Sequence, residues 1–341
     1  MRDVVAVQLW LGVTAYAVLG GADFGAGFWD LVAGGAARGA RPRALIDRSI
    51  TPVWEANHVW LIFVLVVLWS GFPQAFSAIF STLFVPLTLA ALGIVLRGAG
   101  FALRHVADRL EVRRALGGAF AVASVLTPFF MGTVVGAVVS GRVPADGSGD
   151  RLTSWCNGMS ILVGLLFVAT SAYLAATFLV ADARRAGDTE LERYFRRRAI
   201  GAGVAAGALA AAGIVVLHEE ARYVYDGLTS DGLPLVIVSI LSGFAALAIL
   251  ARGNAFWARP FAVAAVVSVV WGWGVAQQPY LLPTSLKIDA AAAPHGTLVA
   301  LFVVLLGAVL IIGPALALLY TLHQRSVLDE ERPPVPSGAS D

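Results

Sequence analysis

The chain has 341 residues, of which 58% are hydrophobic and only 13% are charged. An ordinary soluble domain has about 25% charged residues, so this composition excludes a soluble globular fold. The net charge of +2 gives no indication of nucleic-acid binding, because the arginines are concentrated between long apolar runs. Runs of about 20 apolar residues can cross a bilayer as helices. The composition therefore predicts an all-α, polytopic membrane protein.

Cysteine content and the N-terminal sequence exclude two further features. Cys156 is the single cysteine, so no disulfide can form within the chain. No Cys/His spacing resembles a zinc site, and we expect no metal ligands in this chain. A cleavable signal begins with a positively charged region and has a short apolar core. Here the start carries Asp3 and the first apolar stretch is much longer, so we expect no such signal.

Nine apolar segments are predicted to form transmembrane helices. They cover residues 4–30, 52–71, 76–103, 115–140, 154–181, 199–217, 233–251, 260–278 and 295–322. Helix-start residues support these bounds, for example Thr51 as an N-cap followed by Pro52. We expect residues 1–322 to form a single transmembrane domain. Residues 323–341 have the composition of a disordered cytoplasmic tail.

The first span ends in an unusual stretch, GGADFGAGFWD at 20–30, which contains two acids. Asp23 follows mostly apolar residues, and its neighbouring glycines would let another helix approach the backbone closely. Ionisable side chains within a span usually face a bundle interior or a proton path, so Asp23 is a candidate functional residue. Asp30 lies seven residues later on nearly the same helix face. We favour a position among the lipid headgroups for Asp30.

The second span begins with TPVWEANHVWLIF at 51–63, where Glu55, Asn57 and His58 are polar. Glu55 lies in the first turn, where unpaired N–H groups stabilise a carboxylate, so it could serve only to start the helix. His58 lies one turn further on the same face and could pair with Glu55. It could also ligate haem iron. We disfavour haem ligation, because the other histidines fall at span ends or in loops and leave no evident second axial ligand.

Two further sets of residues each have two interpretations. Arg97, in the third span, could extend to the headgroups by snorkelling or could pair with a nearby acid. We favour snorkelling. Trp271 and Trp273 lie near the end of the eighth span, where a quinone ring could stack on them. Interfacial anchoring by tryptophan explains the same residues without a ligand, and we favour it.

The basic residues predict the orientation of the chain, because cytoplasmic loops are enriched in arginine and lysine. Most of the 24 basic residues lie on the side opposite the N-terminus, many of them in a predicted polar loop at 182–198. The N-terminus is therefore predicted to be outside and the C-terminus cytoplasmic. Asp23, Asp30 and Glu55 would then gather near the cytoplasmic face. The basic residues predicted to be on the outer side are Arg2, Arg142, Arg151, Arg222 and Lys287.

At these motifs the sequence resembles subunit II of the bacterial cytochrome bd-type quinol oxidases, over essentially the whole chain. Family members often carry an acid directly after the phenylalanine of a third motif. This chain has Ala102 there, so a proton-path role for that acid is not carried over. The matching motifs are GGADFGAGFWDL at 20–31, PVWEANHVWLIF at 52–63, LRGAGFALR at 96–104 and QPYLLPTS at 278–285.

The resemblance implies a terminal oxidase of the bacterial cytoplasmic (inner) membrane that oxidises quinol and reduces dioxygen to water. The haems and the main quinol site would belong to a homologous subunit I. This chain would bind no haem itself, while a structural quinone and a small accessory subunit remain possible, and lipid surrounds the spans. By motif position, Glu55 and Asp23 are implied to conduct cytoplasmic protons, together with His58. Possible supporting residues are Asn57, Asp30 and Arg97.

Two other classes of function compete with this interpretation. A secondary transporter could use intramembrane carboxylates to bind a proton or another cation coupled to a solute. Transporters usually have internal repeats and helices broken at the midplane, and the sequence shows no convincing pair of such helices. A purely structural membrane subunit would leave the acids dispensable.

Overall fold

The structure is a computed structural model that describes residues 1–50, 54–104 and 109–324. Its elements in chain order are α1 (Arg2–Ala15), a π-helical turn (Tyr16–Gly20), α2 (Gly21–Leu31), α3 (Ala36–Ile50), α4 (Trp54–Gly71), α5 (Pro73–Thr82), α6 (Phe84–Arg104), α7 (Leu110–Val139), α8 (Gly158–Arg185), α9 (Thr189–Glu220), α10 (Arg222–Thr229), α11 (Leu233–Ala251), α12 (Ala255–Ala276), β1 (Tyr280–Leu282), β2 (Leu286–Lys287), α13 (Ile288–Ala291) and α14 (His295–Gln324).

Eight helices in the described part of the chain are each long and apolar enough to cross a membrane. The first of these combines α1, the π-helical turn and α2. The segments Asn57–Gly71 and Pro73–Thr82 make a ninth span if counted together, although their axes differ by 116°. The all-α polytopic fold with up to nine spans is confirmed. The helices that pass individually are this first span together with α6, α7, α8, α9, α11, α12 and α14.

Two sequence-based predictions need correction. The third span was predicted to begin at residue 76, but residues 73–82 form the separate helix α5 and the crossing helix α6 begins at Phe84. The predicted loop at 182–198 is mostly helix, because α8 continues to Arg185 and α9 begins at Thr189. Arginine and glutamate are good helix formers, so a polar composition does not distinguish a solvated helix end from a loop.

Two short connections also contain structure that the apolar pattern did not indicate. The segment between the first two spans includes α3, which is a polar helix. The QPYLLPTS stretch contributes the first strand and the turn of a small antiparallel hairpin, in which Tyr280 pairs with Lys287 and Leu282 with Leu286. The predicted cap at Thr51 and the tail from residue 325 onward lie outside the described residues.

The connections alternate between two ends of the helix bundle. At the first, the N-terminal end, the Ala293 backbone N–H donates to Gly71 O at 2.8 Å. At the same end, Arg2 pairs with Asp289 at 2.6 Å. This end also holds α5, α10 and the hairpin, since Tyr223 Oη donates to the carbonyl of Gln278 at 2.6 Å.

The opposite end, here called the arginine-rich end, joins α3 to the connections that follow α8 and α11. Arg41 on α3 pairs with Asp188 at 2.8 Å, between α8 and α9. Arg184 Nη2 donates to the carbonyl of Gly253 at 2.7 Å. Alternation of the connections between two ends is what the orientation prediction requires. The structure contains no membrane, so the side on which each end lies is a separate question.

The position of α2 in the bundle is set by a close backbone contact with α8. A methyl group added to Gly25 would lie 1.8 Å from the carbonyl oxygen of Ser171, so only glycine fits there. Four residues later, Trp29 Nε1 donates to the carbonyl of Ala172 at 2.8 Å in the core. These contacts fix both the depth and the rotation of α2, which carries Asp23 and Asp30.

Helices α4 and α6, which α5 separates in the chain, do not pack closely on each other in the described part of the chain. Helix α4 packs mainly against the first span and also against α5 and α14, while α6 packs against α7. Both helices keep an exposed apolar stripe. On α4 it consists of Val59, Ile62, Val66 and Trp69, and on α6 it includes Leu92, Val95, Leu96 and Leu103.

Candidate functional site

A buried ion pair lies at the centre of the candidate site. Arg97 Nη2 on α6 donates to Asp23 Oδ1 on α2 at 2.7 Å, and the two side chains are only 1% and 2% exposed. The same nitrogen lies 3.2 Å from the carbonyl oxygen of Asp23. A charge inside a membrane protein is tolerated when it is paired and hydrogen-bonded, and this pair meets both conditions.

Ser124 and two aromatic rings complete the surroundings of Arg97. Arg97 Nε donates to Ser124 Oγ at 3.0 Å, and that hydroxyl donates to the carbonyl of Phe120 at 2.7 Å. The guanidinium carbon lies 5.1 Å from the ring centre of Phe24 and 5.0 Å from that of Phe120. Aromatic faces attract cations, so Arg97 is stabilised on several sides.

The prediction that Arg97 snorkels to the headgroups is wrong, because the side chain points into the bundle and is 1% exposed. The alternative, pairing with an acid, is what the structure shows. Snorkelling depends on an aqueous interface within reach of the side chain. Here Asp23 supplies a carboxylate at shorter range, on a helix that the glycine contact holds nearby.

The first span changes geometry just before Asp23. Residues Tyr16–Gly20 form a π-helical turn between α1 and α2. Such turns are rare and occur frequently at functional sites. The rings of Tyr16, Phe24 and His58 form a triangle, with centroid separations of 6.3, 6.0 and 6.3 Å. The triangle brings α4 next to the ion pair through His58.

Asp30 does not share the surroundings of Asp23, although the two acids lie on one helix face. Arg43 Nε on α3 donates to Asp30 Oδ1 at 2.7 Å, and Arg43 Nη2 donates to the carbonyl of Gly34 at 2.6 Å. Asp30 is 6% exposed within the protein. The structure contains no membrane, so the position of Asp30 at the depth of the lipid headgroups stays a prediction. The helix α3 that supplies Arg43 was not predicted, so this partner was missed.

The WEANHVW motif is described only in part. Glu55 belongs to the first turn of α4, as predicted, but its side chain lies outside the described residues. Asn57 is buried and 3% exposed, and His58 is partly buried. The predicted pairing of Glu55 with His58 therefore remains a prediction. Within the described residues, no group of three or more His, Cys, Asp or Glu side chains could hold a metal ion.

A second feature lies near the N-terminal end, around the predicted tryptophan pair. Trp273 packs against Trp10 with ring centres 5.1 Å apart, and Trp10 Nε1 donates to the carbonyl of Val270 at 3.0 Å. A cavity of about 300 Å³ opens beside them, with Trp10, Trp271, Gln277 and Tyr280 in its lining. Trp273 Nε1 and Gln277 Oε1 are buried and lack a hydrogen-bond partner among the described residues.

The model of the cytochrome bd terminal oxidase subunit II family matches residues 1–323. The chain belongs to this family. The putative cytochrome bd menaquinol oxidase subunit II of Bacillus subtilis (strain 168) is 22% identical over 93% of this chain and 94% of its own length. Subunit 2 of the cytochrome bd-I ubiquinol oxidase of Escherichia coli (strain K12) is 25% identical over 81% of this chain and 80% of its own.

A solved structure, that of the bd oxidase from Geobacillus thermodenitrificans, contains a chain with the same fold. Its TM-score is 0.76 at 25% identity, and the match covers 94% of this chain and 98% of that one. This subunit II is therefore part of a quinol oxidase complex and pairs with a subunit I. The secondary-transporter interpretation is not favoured.

Sequence reasoning found Asp23, Arg97 and His58 but missed Tyr16 and Ser124. Tyr16 lies seven residues before Asp23, which is two helical turns and nearly the same face. That spacing was the available signal. Ser124 carried none, because a serine in a span is common and its partner lies 27 residues away.

Proposed function

We propose that this subunit II conducts protons from the cytoplasm toward the site in subunit I where dioxygen is reduced to water. Glu55 receives protons at the start of α4, and Asp23 and His58 continue the path. Asn57, Asp30 and Arg97 support it. The observation that carries the proposal is the buried carboxylate of Asp23, inside a helix bundle where ionisable groups are rare. The ring of Phe24, the next residue, lies 6.0 Å from the His58 ring and so connects the two sites.

The ion pair gives this path a neutral starting state. Asp23 and Arg97 together carry no net charge, so a proton that arrives is not repelled by a fixed positive charge nearby. Oxygen Oδ2 of Asp23 has no hydrogen-bond partner among the described residues, while Oδ1 is held by Arg97. One carboxylate oxygen thus fixes the group in place and the other is free to exchange a proton.

We place the contact with subunit I on the stripes of α4 and α6. Both stripes are apolar and exposed, and α4 and α6 do not pack closely on each other. His58, on α4, is the partly exposed member of the path. A proton that leaves this chain by way of His58 would therefore enter subunit I directly.

The uptake of protons from the cytoplasm also determines the orientation of the chain in this proposal. Protons drawn from the cytoplasm make the reaction charge-separating, so the arginine-rich end should face the cytoplasm of the bacterial inner membrane and the N-terminus should lie outside. Residues 1–322 form the membrane domain, and 323–341 are the cytoplasmic tail.

A cysteine introduced at Arg193, in a chain with Cys156→Ser, should be protected from a membrane-impermeant thiol reagent in intact cells. Labelling from outside would contradict this topology.

The haems belong to subunit I, in this proposal, and this chain contributes no axial ligand. A structural quinone, if this chain holds one, would fit the cavity beside Trp10. The aromatic side chains that line this cavity, Trp10, Trp271 and Tyr280, suit a quinone ring. A small accessory subunit remains compatible with the exposed surfaces of α11 and α14.

The experiment is Glu55→Gln in the complex co-expressed with subunit I. Glutamine keeps the size and hydrogen bonding of the side chain but cannot titrate. We expect normal haem content with turnover reduced by about 10² or more, the usual contribution of a positioned proton-transfer group. Asp23→Asn requires Arg97→Gln in the same chain, so that no buried charge is left unpaired. Turnover per haem near that of the unaltered complex in both variants would refute the proton path and leave the family assignment intact.

A further inference from the structure

Two buried oxygen atoms near the ion pair have no hydrogen-bond partner among the described residues. They are Tyr16 Oη and Asp23 Oδ2. Buried polar groups are almost always hydrogen-bonded to protein or to ordered water, so each unpaired group requires an explanation. Both atoms belong to the first span, on residues seven positions apart that the π-helical turn separates.

The Tyr16 ring lies along the first span, against Gly20. Long side chains in an α-helix usually lie over the preceding turn. The ring of Tyr16 instead lies against Gly20, one turn later, because a methyl group at Gly20 would be 2.8 Å from Tyr16 Cε2. The π-helical turn over Tyr16–Gly20 widens the backbone at this place. Gly20 and the turn together make space for a phenol that reaches along the helix.

The Phe24 ring links the surroundings of the phenol to those of the ion pair. Phe24, next to Asp23 in the chain, contacts the Tyr16 ring edge-on at 6.3 Å and the His58 ring at 6.0 Å. The guanidinium of Arg97 lies 5.1 Å from the centre of the same ring. The described groups around Phe24 thus include one acid, one guanidinium, one imidazole and one phenol.

We propose that Tyr16 is a positioning residue of the proton path, which holds a water molecule between its hydroxyl and Asp23 Oδ2 on the way to His58. This inference rests on the proposed proton-conducting function. The phenol donates its hydrogen bond to the water and keeps its proton throughout. The water donates to the carboxylate oxygen, so a proton can pass between Asp23 and His58 without a move of the Arg97 side chain.

A purely structural role for Tyr16 makes a different prediction. Packing needs the ring, and the ring is kept in Tyr16→Phe. A packing role would therefore leave turnover per haem unchanged in this variant. The hydroxyl is needed only if it binds a polar partner, so the variant separates the two roles with a change of one atom.

The experiment uses the complex with subunit I and duroquinol as the reductant. For Tyr16→Phe we expect unchanged haem content and unchanged KM for duroquinol. The kcat per haem should fall about three- to tenfold, the range expected for loss of one hydrogen bond. The ratio of kcat in H₂O to kcat in D₂O should rise, because proton transfer then limits the rate to a greater extent.

Tyr173→Phe is a matched control. Tyr173 is also a buried tyrosine whose hydroxyl has no hydrogen-bond partner among the described residues. Its ring packs against Gly203 on α9, away from the ion pair. We expect neither kcat nor the isotope ratio to change in this variant. A similar fall in both variants would show a general effect of removing buried hydroxyls and overturn the proposal.

Asp23→Asn with Arg97→Gln separates failure of this inference from failure of the proposed function. If this pair of changes slows turnover and Tyr16→Phe does not, the path stands and the role of Tyr16 is refuted. If the pair leaves turnover normal, the proton path fails and this inference fails with it. The supporting result is slow turnover in the variant with Asp23→Asn and Arg97→Gln, and no further loss of turnover when Tyr16→Phe is added. Losses of turnover from residues that act in one path do not add up.

Discussion

The two acids of α2 form two ion pairs that differ mainly in their access to water. Asp23 and Arg97 are both almost fully buried, and aromatic rings cover the guanidinium. Asp30 is buried to a similar extent, but its partner Arg43 is 32% exposed and also bonds to Gly34. The inner pair is isolated within the bundle, whereas the outer pair is in contact with solvent on one side.

This difference decides what each pair can do. Breaking a buried pair leaves a charge that nothing compensates, at a cost of about 3–5 kcal/mol. A pair that water reaches loses much less, because solvent replaces the missing partner. The inner pair is therefore suited to hold a carboxylate in a fixed place within the membrane. The outer pair is suited to fasten α3 to the end of α2.

The largest effect is expected for Arg97→Gln. Asp23 would remain as a buried carboxylate without its counter-charge, and we expect little haem-loaded complex to assemble. Adding Asp23→Asn should restore much of the assembly, because no charge is then left unpaired. The measurement is haem content per membrane protein after purification in detergent. Assembly of the single variant at normal levels would show that the inner pair is not isolated from water.

The second-largest effect is expected for Gly25→Ala, on α2 between Asp23 and Asp30. Gly25→Ala would place a methyl group 1.8 Å from the Ser171 carbonyl oxygen and force α2 away from α8. We expect the free energy of unfolding to fall by about 1–3 kcal/mol, which would be measured as a lower Tm of the complex. Gly21→Ala is the matched control, since its methyl would meet its nearest neighbours, Leu174 and Ser171, at 3.6 Å. Equal Tm values for the two variants would refute the close contact.

Asp30→Asn should have a smaller effect than either change. The amide oxygen can still accept from Arg43, which keeps its bond to Gly34 and its contact with water. We expect a loss of about 1–2 kcal/mol in stability and nearly normal turnover per haem. Turnover is measured with duroquinol. A turnover as low as that of Glu55→Gln would place Asp30 in the proton path itself and remove the distinction between the pairs.

The smallest effect is expected for a pair at the surface, Arg41 with Asp188, whose side chains are 59% and 24% exposed. The N–H of Leu191 and then the Arg41 side chain hold the pKa of Asp188 below its usual 3.8. A lowered pKa stabilises the fold above the unfolded pKa, and this contribution is lost as the pH falls from about 3.8. Asp188→Asn should therefore lower Tm slightly at pH 7, and the difference from the unaltered chain should shrink as the pH falls below about 3.8. A difference that does not shrink as the pH falls would contradict the electrostatic origin.

Much of this arrangement could be predicted from the sequence, and the limits were physical. Apolar length predicts spans well, because hydrogen-bonded helices are what crosses a bilayer. It does not show polar helices such as α3, so the partner of Asp30 was missed. Nor does it show which way a long side chain turns. Arg97 was assigned to the headgroups because its carboxylate partner lies 74 residues away, and only the packed helices bring the two together.

The exposed apolar stripes of α4 and α6 have a consequence for the cell. If subunit I covers them, as proposed above, a copy of this chain made without subunit I would expose two helix faces that lack a partner, and helices in lipid associate through packing rather than through hydrophobicity. We expect such orphan copies to be short-lived, because cells remove proteins that are not stably folded. The amount of this chain would then follow that of its partner. Degradation of the excess, rather than matched synthesis, would keep the amounts of the two subunits in balance.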